Sequence, residues 1–218
     1  MIIGVCGFIG SGKDTVADYL VNIHGFKRES FASSLKDAVA AIFGWDRDML
    51  EGRTKEARIC REQIDAWWAK RLDIPNLTPR MVLQQMGTEV FRNHFHDDIW
   101  IASLEAKLAK TKENVVITDC RFPNEIKAIR NHGGLVARVY RGENPDFYDD
   151  ALASNSEIYS LGFSNDAIQS AKTNLKNAGV HPSETSWVGS SFDVELSNSS
   201  SFDDLYSQIE NFVGGKYE

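Results

Sequence analysis

The sequence has few cysteines and no long hydrophobic run. Its three cysteines, Cys6, Cys60 and Cys120, are far apart and lack Cys-x-x-Cys spacing, so we predict reduced thiols and neither a disulfide framework nor a zinc knuckle. An apolar run such as 115–117 is far too short to cross a membrane. The apolar start leads into a glycine loop without the basic leader of a signal peptide. We therefore expect no membrane partner and a cytoplasmic location.

Positive charge is scarce in the last third of the chain. Residues 143–218 hold 3 Lys and Arg against 13 Asp and Glu, and no arginine follows Arg141, whereas residues 1–142 hold 21 against 18. With a net charge of −7, the chain is a poor non-specific binder of nucleic acid, so no polymeric nucleic acid partner is expected. The basic surplus of the front part suits a small anionic ligand.

No internal repeat or low-complexity linker divides the 218 residues. Short apolar runs alternate with helical periodicity, an order typical of a parallel sheet covered by helices on both faces, the three-layer α/β/α class. Ile23, Ile42 and Phe202 are expected on the apolar faces of three helices. We predict one domain with a core of 1–44, 78–142 and 190–218, a helical excursion at 45–77 and an inserted lobe at 143–189. The predicted strands lie at 2–6, 28–31, 114–118, 135–140 and 193–197.

A glycine-rich loop follows the first predicted strand and opens the first predicted helix. It reads Gly7-Phe8-Ile9-Gly10-Ser11-Gly12-Lys13, the Gly-x-x-x-x-Gly-Lys pattern of a phosphate-binding loop (P-loop) in its proper context. Its glycines let successive backbone N–H groups point at a phosphate, and the helix N-terminus adds partial positive charge. Lys13 supplies a mobile charge for the transferred phosphoryl group. Nucleotide binding is predicted for Gly7, Ile9, Gly10, Ser11, Gly12, Lys13, Asp14 and Thr15.

The residue after the lysine departs from the usual pattern. Asp14 stands where Ser or Thr normally binds Mg²⁺, and Thr15 follows. A carboxylate is a charged Mg²⁺ ligand, so Asp14 is one candidate. Alternatively, Asp14 only favours the positive end of the helix and Thr15 serves the metal. The departure argues against a GTPase or a motor ATPase.

A second group of polar residues follows the predicted strand at 114–118. Ligands of open α/β sheets bind beyond the carboxyl ends of the strands. Asp119 can there hold Mg²⁺ or its water shell, and Arg121 can reach the same crevice. On the alternative interpretation, Asp119 only caps the helix that Pro123 opens.

A third group lies on a helix that Thr78 caps and Pro79 opens. The spacing predicts one face that carries Arg80, Gln84, Gly87 and Thr88. This face is either solvated surface or a second phosphate site, with a guanidinium fork and an amide that contacts a base edge.

No Ser-His-Asp triad is apparent, since the histidines are scattered at positions 24, 94, 96, 132 and 181. Phosphoryl transfer to a phosphate monoester needs no strong base, because the second phosphate pKa is about 6. It needs cations that neutralise and align two anions, and the three groups above supply them.

These residues resemble the phage-type deoxynucleoside monophosphate kinases, within the P-loop nucleoside monophosphate kinase superfamily. The resemblance covers most of the chain in order, except much of 45–77 and 143–180. It rests on Ser11-Gly12-Lys13-Asp14-Thr15, Leu35-Lys36-Asp37-Ala38, Arg80, Gln84, Gly87-Thr88-Glu89, Trp100, Asp119, Arg121, Glu125, Arg141, His181-Pro182-Ser183-Glu184 and Asn198.

The resemblance implies ATP- and Mg²⁺-dependent phosphorylation of deoxynucleoside 5′-monophosphates to diphosphates, for DNA precursor supply. It implies a five-stranded parallel sheet of the P-loop kinase type and a homodimer, in the host cytoplasm if the chain is phage-encoded. The implied catalytic residues are Lys13, Asp119, Arg121 and Arg80. Arg141 joins the P-loop in binding ATP, and Asp14, Thr15 and Asp119 serve the metal. The implied acceptor residues are Lys36, Arg80, Gln84, Gly87, Thr88 and Arg121.

Two other functions stay open at this point. One is a P-loop kinase for another phosphorylated metabolite, of the dephospho-coenzyme A or phosphomevalonate type, and the other is a non-catalytic ATP-binding assembly or sensor protein. Because 143–218 lacks arginine, a lid arginine has to come from Arg121, Arg138 or Arg141. The role of His181 and Glu184 is open between a capped turn and a functional site. The candidates for discrimination against a 2′-hydroxyl are Phe31, Trp45, Trp67, Trp68, Phe91 and Trp100.

Overall fold

The computed structural model describes residues 1–215, which divide into two compact units. Of the described residues, the first unit comprises 1–30 and 110–215, and the second comprises Phe31–Ala109. No helix of the described residues is long and apolar enough to span a membrane. The helices are α1 Lys13–His24, α2 Ser33–Phe43, α3 Arg47–Glu51, α4 Lys55–Glu62, α5 Ala66–Leu72, α6 Pro79–Gln84, α7 Ile99–Leu108, α8 Pro123–Asn131, α9 Tyr148–Ser154, α10 Ser156–Tyr159, α11 Asn165–Asn177, α12 Pro182–Thr185 and α13 Phe202–Gly214, with a π-helix at Gln85–Asn93 between α6 and α7.

The first unit is built on a parallel sheet of five strands: β1 Ile2–Cys6, β2 Lys27–Glu29, β3 Val115–Ile117, β4 Leu135–Tyr140 and β5 Val194–Ser197. Their order in the sheet is β2-β3-β1-β4-β5. β1 lies at the centre, with Ile3 in register with Val116 of β3 and Leu135 of β4. The predicted parallel sheet is thus confirmed, and each strand begins and ends within two residues of its predicted bounds.

Helices cover both faces of this sheet, as the α/β/α prediction requires. Alternate strand residues such as Ile3 and Val5 pack against α1 and α13 in one core layer. On the opposite face, Gly4 lies directly against Ile129 of α8 and leaves no room for a Cβ. A glycine therefore lets α8 approach the central strand.

Three apolar residues that we predicted on buried helix faces are exposed. Ile23 is 62% exposed, Ile42 is 56% exposed and Phe202 is 61% exposed. Ile23 and Ile42 lie in the last turns of α1 and α2, and Phe202 is the first residue of α13. In each of these three helices one apolar residue at an end is exposed, while others of the same stripe, such as Leu20, Val39 and Leu205, are buried. Periodicity alone therefore assigns the exposed end residues wrongly.

The segment 143–189, which had weak sequence signals, is helical and packed within the first unit. α9 packs against α11 through the buried residues Ala151 and Ile168. The Asn155 amide, between α9 and α10, donates to the carbonyls of Thr185 and Val188 at 2.7 and 2.8 Å. This buried amide ties α12 to the rest of the segment.

The second unit consists of helices. α2 packs against α3, α6 and α7 and buries Leu35 and Val39. Three short helices lie at 47–72, within the stretch where we predicted a helical excursion. Each has an aspartate or threonine N-cap; the Asp65 carboxylate, for example, accepts from the backbone N–H groups of Trp67 and Trp68. These caps explain how such short helices form in a charged stretch.

Candidate active site

The polar residues predicted for the first unit all follow parallel strands at one edge of the sheet. The P-loop follows β1, Asp119 and Arg121 follow β3, and Arg141 follows β4. Asn198 follows β5 directly. Because parallel strands end at the same edge, the topology gathers these residues where α/β proteins bind their ligands.

The P-loop has the backbone conformation that its glycines allow. Gly7, Gly10 and Gly12 have φ angles of 151°, 79° and 105°, values that residues with a side chain rarely adopt. A Cβ at Gly7 would meet the carbonyl oxygen of Val139. Ile9 is 80% exposed at the tip of the loop. The loop therefore needs glycine at these positions to curl as a phosphate cradle does.

Lys13, the first residue of α1, folds back over the P-loop. Its Nζ donates to the carbonyl oxygens of Gly7 and Phe8, each at 2.8 Å. An ammonium group has three N–H donors, so one remains for a ligand oxygen. The Ser11 hydroxyl is buried with no hydrogen-bond partner among residues 1–215. The loop thus offers donors that a phosphate would satisfy.

Asn198 braces the P-loop from the end of β5. It is 8% exposed, and its Nδ2 donates to the carbonyl oxygen of Ser11 at 3.0 Å. A Cβ at Gly12 would collide with this amide. From the sequence, Asn198 is only part of the family resemblance and has no predicted function, since its bond to Ser11 spans 187 residues and no local spacing predicts it.

Arg121 and Glu184 both lie close enough to Lys13 to act on its charge. Burial lowers the pKa of Lys13, the Arg121 guanidinium lowers it further, and the Glu184 carboxylate opposes the shift. Arg121 Nη1 donates to Glu184 Oε1 at 3.2 Å and to Ser183 Oγ at 3.4 Å. Lys13 and Arg121, predicted together, are therefore brought together, along with Glu184, for which the sequence left a functional role open.

The candidate metal residues differ in their surroundings. Asp14 is largely exposed, and its carboxylate accepts from Arg28 of β2 at 3.2 Å. Thr15 is half-buried one residue further along α1, and Asp119 is half-buried beyond β3. Among residues 1–215 no group of three or more His, Cys, Asp or Glu could hold a metal. Hydroxyl and carboxylate donors of this kind fit an Mg²⁺ ion that shares its coordination with phosphate oxygens.

Apart from Arg121, the predicted acceptor residues lie in the second unit. Lys36 Nζ donates to Glu51 Oε1 at 2.7 Å, and Arg47 donates to the other carboxylate oxygen at 2.7 Å. Burial opposes ionisation of Glu51, but the hydrogen bonds from Lys36 and Arg47 lower its pKa to about 2. Arg80 is about half exposed, and its Nη1 donates to Glu62 Oε1 at 2.8 Å. The two predicted acceptor cations of this unit, Lys36 and Arg80, are thus held by carboxylates of neighbouring helices.

The prediction that Arg80, Gln84, Gly87 and Thr88 share one face is wrong for Gly87. Arg80, Gln84 and Thr88 are exposed, whereas Gly87 is buried and a Cβ there would meet Leu35 at 2.7 Å. The helix changes from α to π at residue 85, and its i→i+5 hydrogen bonds alter the angular spacing that the prediction assumed. The part of Gly87 in acceptor binding stays a prediction, as do those of the other three.

Five of the six candidate aromatic residues are buried or half-buried. Trp45 Nε1 donates to Asp65 and Trp68 Nε1 donates to the Phe43 carbonyl oxygen. Trp67, in contrast, is 64% exposed. The remaining three are buried or stacked: Phe31 is 3% exposed, Trp100 is 6% exposed and donates to the Gly87 carbonyl oxygen, and the Phe91 ring meets Trp100 edge to face.

A parallel α/β sheet with a P-loop after its central strand, and with a lysine and an arginine at that loop, defines a P-loop phosphotransferase. A family model for deoxynucleotide monophosphate kinases matches residues 50–152. The deoxynucleoside-5′-monophosphate kinase of Escherichia phage T5 is 30% identical over 183 residues, which is 61% of this chain and 73% of the phage protein. The chain therefore belongs to the deoxynucleotide monophosphate kinase family, and the family predicted from the sequence is confirmed.

Two further comparisons extend over nearly the whole chain. An Acanthamoeba polyphaga mimivirus protein, provisionally named deoxynucleotide monophosphate kinase, is 28% identical over 228 residues, covering 98% of this chain and 96% of the viral protein. A solved dephospho-CoA kinase from Campylobacter jejuni is 18% identical, and the match covers 99% of this chain and 96% of that chain with a TM-score of 0.44.

Proposed function

We propose that this chain transfers the γ-phosphoryl group of ATP to the phosphate of a deoxynucleoside 5′-monophosphate. A phosphate oxygen of the acceptor forms the new bond to phosphorus as the bond from the γ-phosphorus to the bridging oxygen breaks, which releases ADP and a deoxynucleoside diphosphate. The observation that carries the proposal is the pair Lys13 and Arg121 at the P-loop of a chain in this family. Two cations at one phosphate loop neutralise the charge that transfer concentrates there.

The roles on the donor side follow from the P-loop. Its backbone N–H groups and the Ser11 hydroxyl bind the ATP phosphates, and the free N–H of Lys13 follows the γ-phosphoryl group. Arg121 bridges donor and acceptor, and the exposed Arg141 binds ATP. Mg²⁺, held by Asp119 and by Asp14 or Thr15, would neutralise phosphate charge when bound.

The roles on the acceptor side rest on the second unit. Arg80 clamps the acceptor phosphate with Lys36, and Gln84 contacts the base, with Gly87 and Thr88 beside them. To bind the acceptor phosphate, Arg80 must release Glu62 and Lys36 must release Glu51. Trp67, the one of the six candidate aromatics that is mainly exposed, is the candidate contact for the deoxyribose. A homodimer and a cytoplasmic location remain predictions from the sequence.

A substrate panel tests the proposed function. The purified chain is given ATP and Mg²⁺ with dGMP, dTMP, dCMP, dAMP, their ribose counterparts or dephospho-coenzyme A, and ADP release is measured by a coupled assay with chromatographic identification of the product. We expect acceptor-dependent ADP release with at least one deoxynucleoside monophosphate. ADP release only with dephospho-coenzyme A, or ATP binding without acceptor-dependent ADP release, contradicts the proposal and supports the other kinase or the sensor.

The acceptor role of Arg80 has its own test. We expect Arg80→Ala to raise the KM for the acceptor at least about tenfold and the KM for ATP less than about threefold, because a charge-assisted hydrogen bond is worth roughly 1.5–3 kcal/mol. Arg92→Ala in the same unit is the matched control. Equal changes in both KM values contradict the assignment.

A further inference from the structure

The sequence His181-Pro182-Ser183-Glu184 has no part in the roles proposed above, yet it forms a well-defined short helix. Pro182 opens α12, and the His181 side chain caps it by accepting from the backbone N–H of Ser183 at 3.2 Å. Ser183 Oγ also lies 2.8 Å from His181 Nδ1. The cap fixes the first turn of α12, which carries Ser183 and Glu184.

α12 is anchored to the P-loop itself. Thr185 is 5% exposed and Trp187 is 2% exposed. The Trp187 ring lies 4.8 Å from the ring of Phe8, a P-loop residue, and Phe147 meets the same ring edge to face at 5.5 Å. With the Asn155 amide on the carbonyls behind α12, these contacts set the position of Glu184 relative to the loop. Packed aromatic pairs of this kind are rigid supports.

Arg121 is held at both ends. Its backbone N–H donates to Glu125 Oε2 at 2.9 Å, which fixes where the side chain starts. Its guanidinium is bound by Glu184 and Ser183 at the other end. Without that partner, a side chain that is 44% exposed and within electrostatic range of the Lys13 ammonium would be repelled and free to rotate.

We propose that Glu184 is a positioning residue that holds the Arg121 guanidinium beside Lys13, ready for the transferred phosphoryl group. The segment 143–189, which contains no arginine, thus contributes a carboxylate that orients an arginine from the loop after β3. This inference rests on the proposed function, because it assigns Arg121 to the step in which the phosphoryl group moves.

The kinetic test is a double-mutant cycle in the full chain. We expect Glu184→Gln, which keeps the shape and removes the charge, to lower kcat about 10- to 100-fold and to change the KM of ATP and of the acceptor less than about threefold. In an Arg121→Ala background the same substitution should change kcat less than twofold, because its target is gone. Glu157→Gln, an exposed carboxylate of the same segment that pairs with Lys172, is the control and should leave kcat unchanged.

Two kinetic results overturn the inference. One is a kcat for Glu184→Gln within twofold of the unmodified chain. The other is an equal loss in the Arg121→Ala background, which places Glu184 on another partner such as the metal. The thermal midpoint of Glu184→Gln should stay within about 3 °C, since an exposed ion pair contributes little to stability.

An NMR measurement separates this inference from the proposed function. In the unmodified chain, an Arg121 guanidinium held by Glu184 should give two resolved Nη signals, which are assigned by their loss in Arg121→Ala. In Glu184→Gln the guanidinium should rotate, and the two signals should average to one. In the control Glu157→Gln the two signals should stay resolved. Identical signals in the unmodified chain and Glu184→Gln overturn the inference. If no deoxynucleoside monophosphate is phosphorylated, the proposed function fails, and the NMR result still shows whether Glu184 holds Arg121.

Discussion

Three consecutive residues at the end of the P-loop, Lys13, Asp14 and Thr15, are predicted to act on the ATP phosphates and on Mg²⁺. Lys13 is occupied by two loop carbonyls, and Asp14 is paired with Arg28. Thr15 lies next to Asp14 on the same helix. Which of these side chains can bind phosphate or Mg²⁺ therefore depends on the hydrogen bonds that it makes before a nucleotide binds.

Among the P-loop residues, substitution of Lys13 should lower kcat the most. We expect Lys13→Ala to lower kcat by about 10³-fold or more, because the charge that follows the γ-phosphoryl group is removed. The fold should hold, since the bonds of Lys13 are made within the P-loop. Steady-state rates with far-ultraviolet circular dichroism check both statements, and Lys27→Ala on β2 is the matched control. Full turnover by Lys13→Ala would refute the P-loop assignment.

The two candidate metal residues can be separated by substitution. The Asp14 carboxylate is held by Arg28, so we expect Thr15 to be the Mg²⁺ residue. Thr15→Val should then raise the Mg²⁺ concentration for half-maximal rate at least about tenfold, and Asp14→Asn should change it less than about threefold. The reverse order, measured in Mg²⁺ titrations at saturating ATP, assigns the metal to Asp14.

At the scale of elements, the strands and the loops after them were predictable, whereas the hydrogen bonds between residues far apart in sequence were not. The alternation of apolar runs with glycine and proline signals gave the sheet and placed Asp119 beyond β3. Gly87 was misplaced because a π-helix replaces the α-helical repeat, which no spacing rule anticipates. Asn198 and Glu184 were not assigned functions because their partners are 187 and 63 residues away.

The brace between β5 and the P-loop gives a prediction at this scale. Asn198→Ala removes the bond to the Ser11 carbonyl, and we expect the KM for ATP to rise about 2- to 10-fold, as loss of one hydrogen bond implies. The acceptor KM should stay nearly constant. Asn174→Ala, whose amide bonds Asp150 on the surface of α11, should change neither value. A KM for ATP that does not move shows that the P-loop keeps its shape without the brace.

For the whole molecule, the balance of charge decides how it responds to acid. The chain has 31 Asp and Glu against 24 Lys and Arg, so protonation of the carboxylates leaves it strongly cationic. A carboxylate that is paired with a cation in the folded state has a lowered pKa and is protonated only at low pH. Its protonation breaks the ion pair and destabilises the folded state. Glu51, bound by Lys36 and Arg47 and only 19% exposed, is such a group in the second unit.

Glu51 therefore gives a prediction for stability against pH. Its folded pKa of about 2 lies below the ordinary 4.5, so the folded state gains stability above pH 4.5 and loses it as pH falls towards 2. We expect Glu51→Gln to lower the free energy of unfolding by about 1–3 kcal/mol at pH 7, and we expect its difference from the unmodified chain to shrink steadily as the pH falls from 4.5 towards 2. Urea unfolding from pH 2.5 to 7 measures this, with the exposed Glu56→Gln as control. A difference that stays constant over that range shows that Glu51 acts through packing and not through its charge.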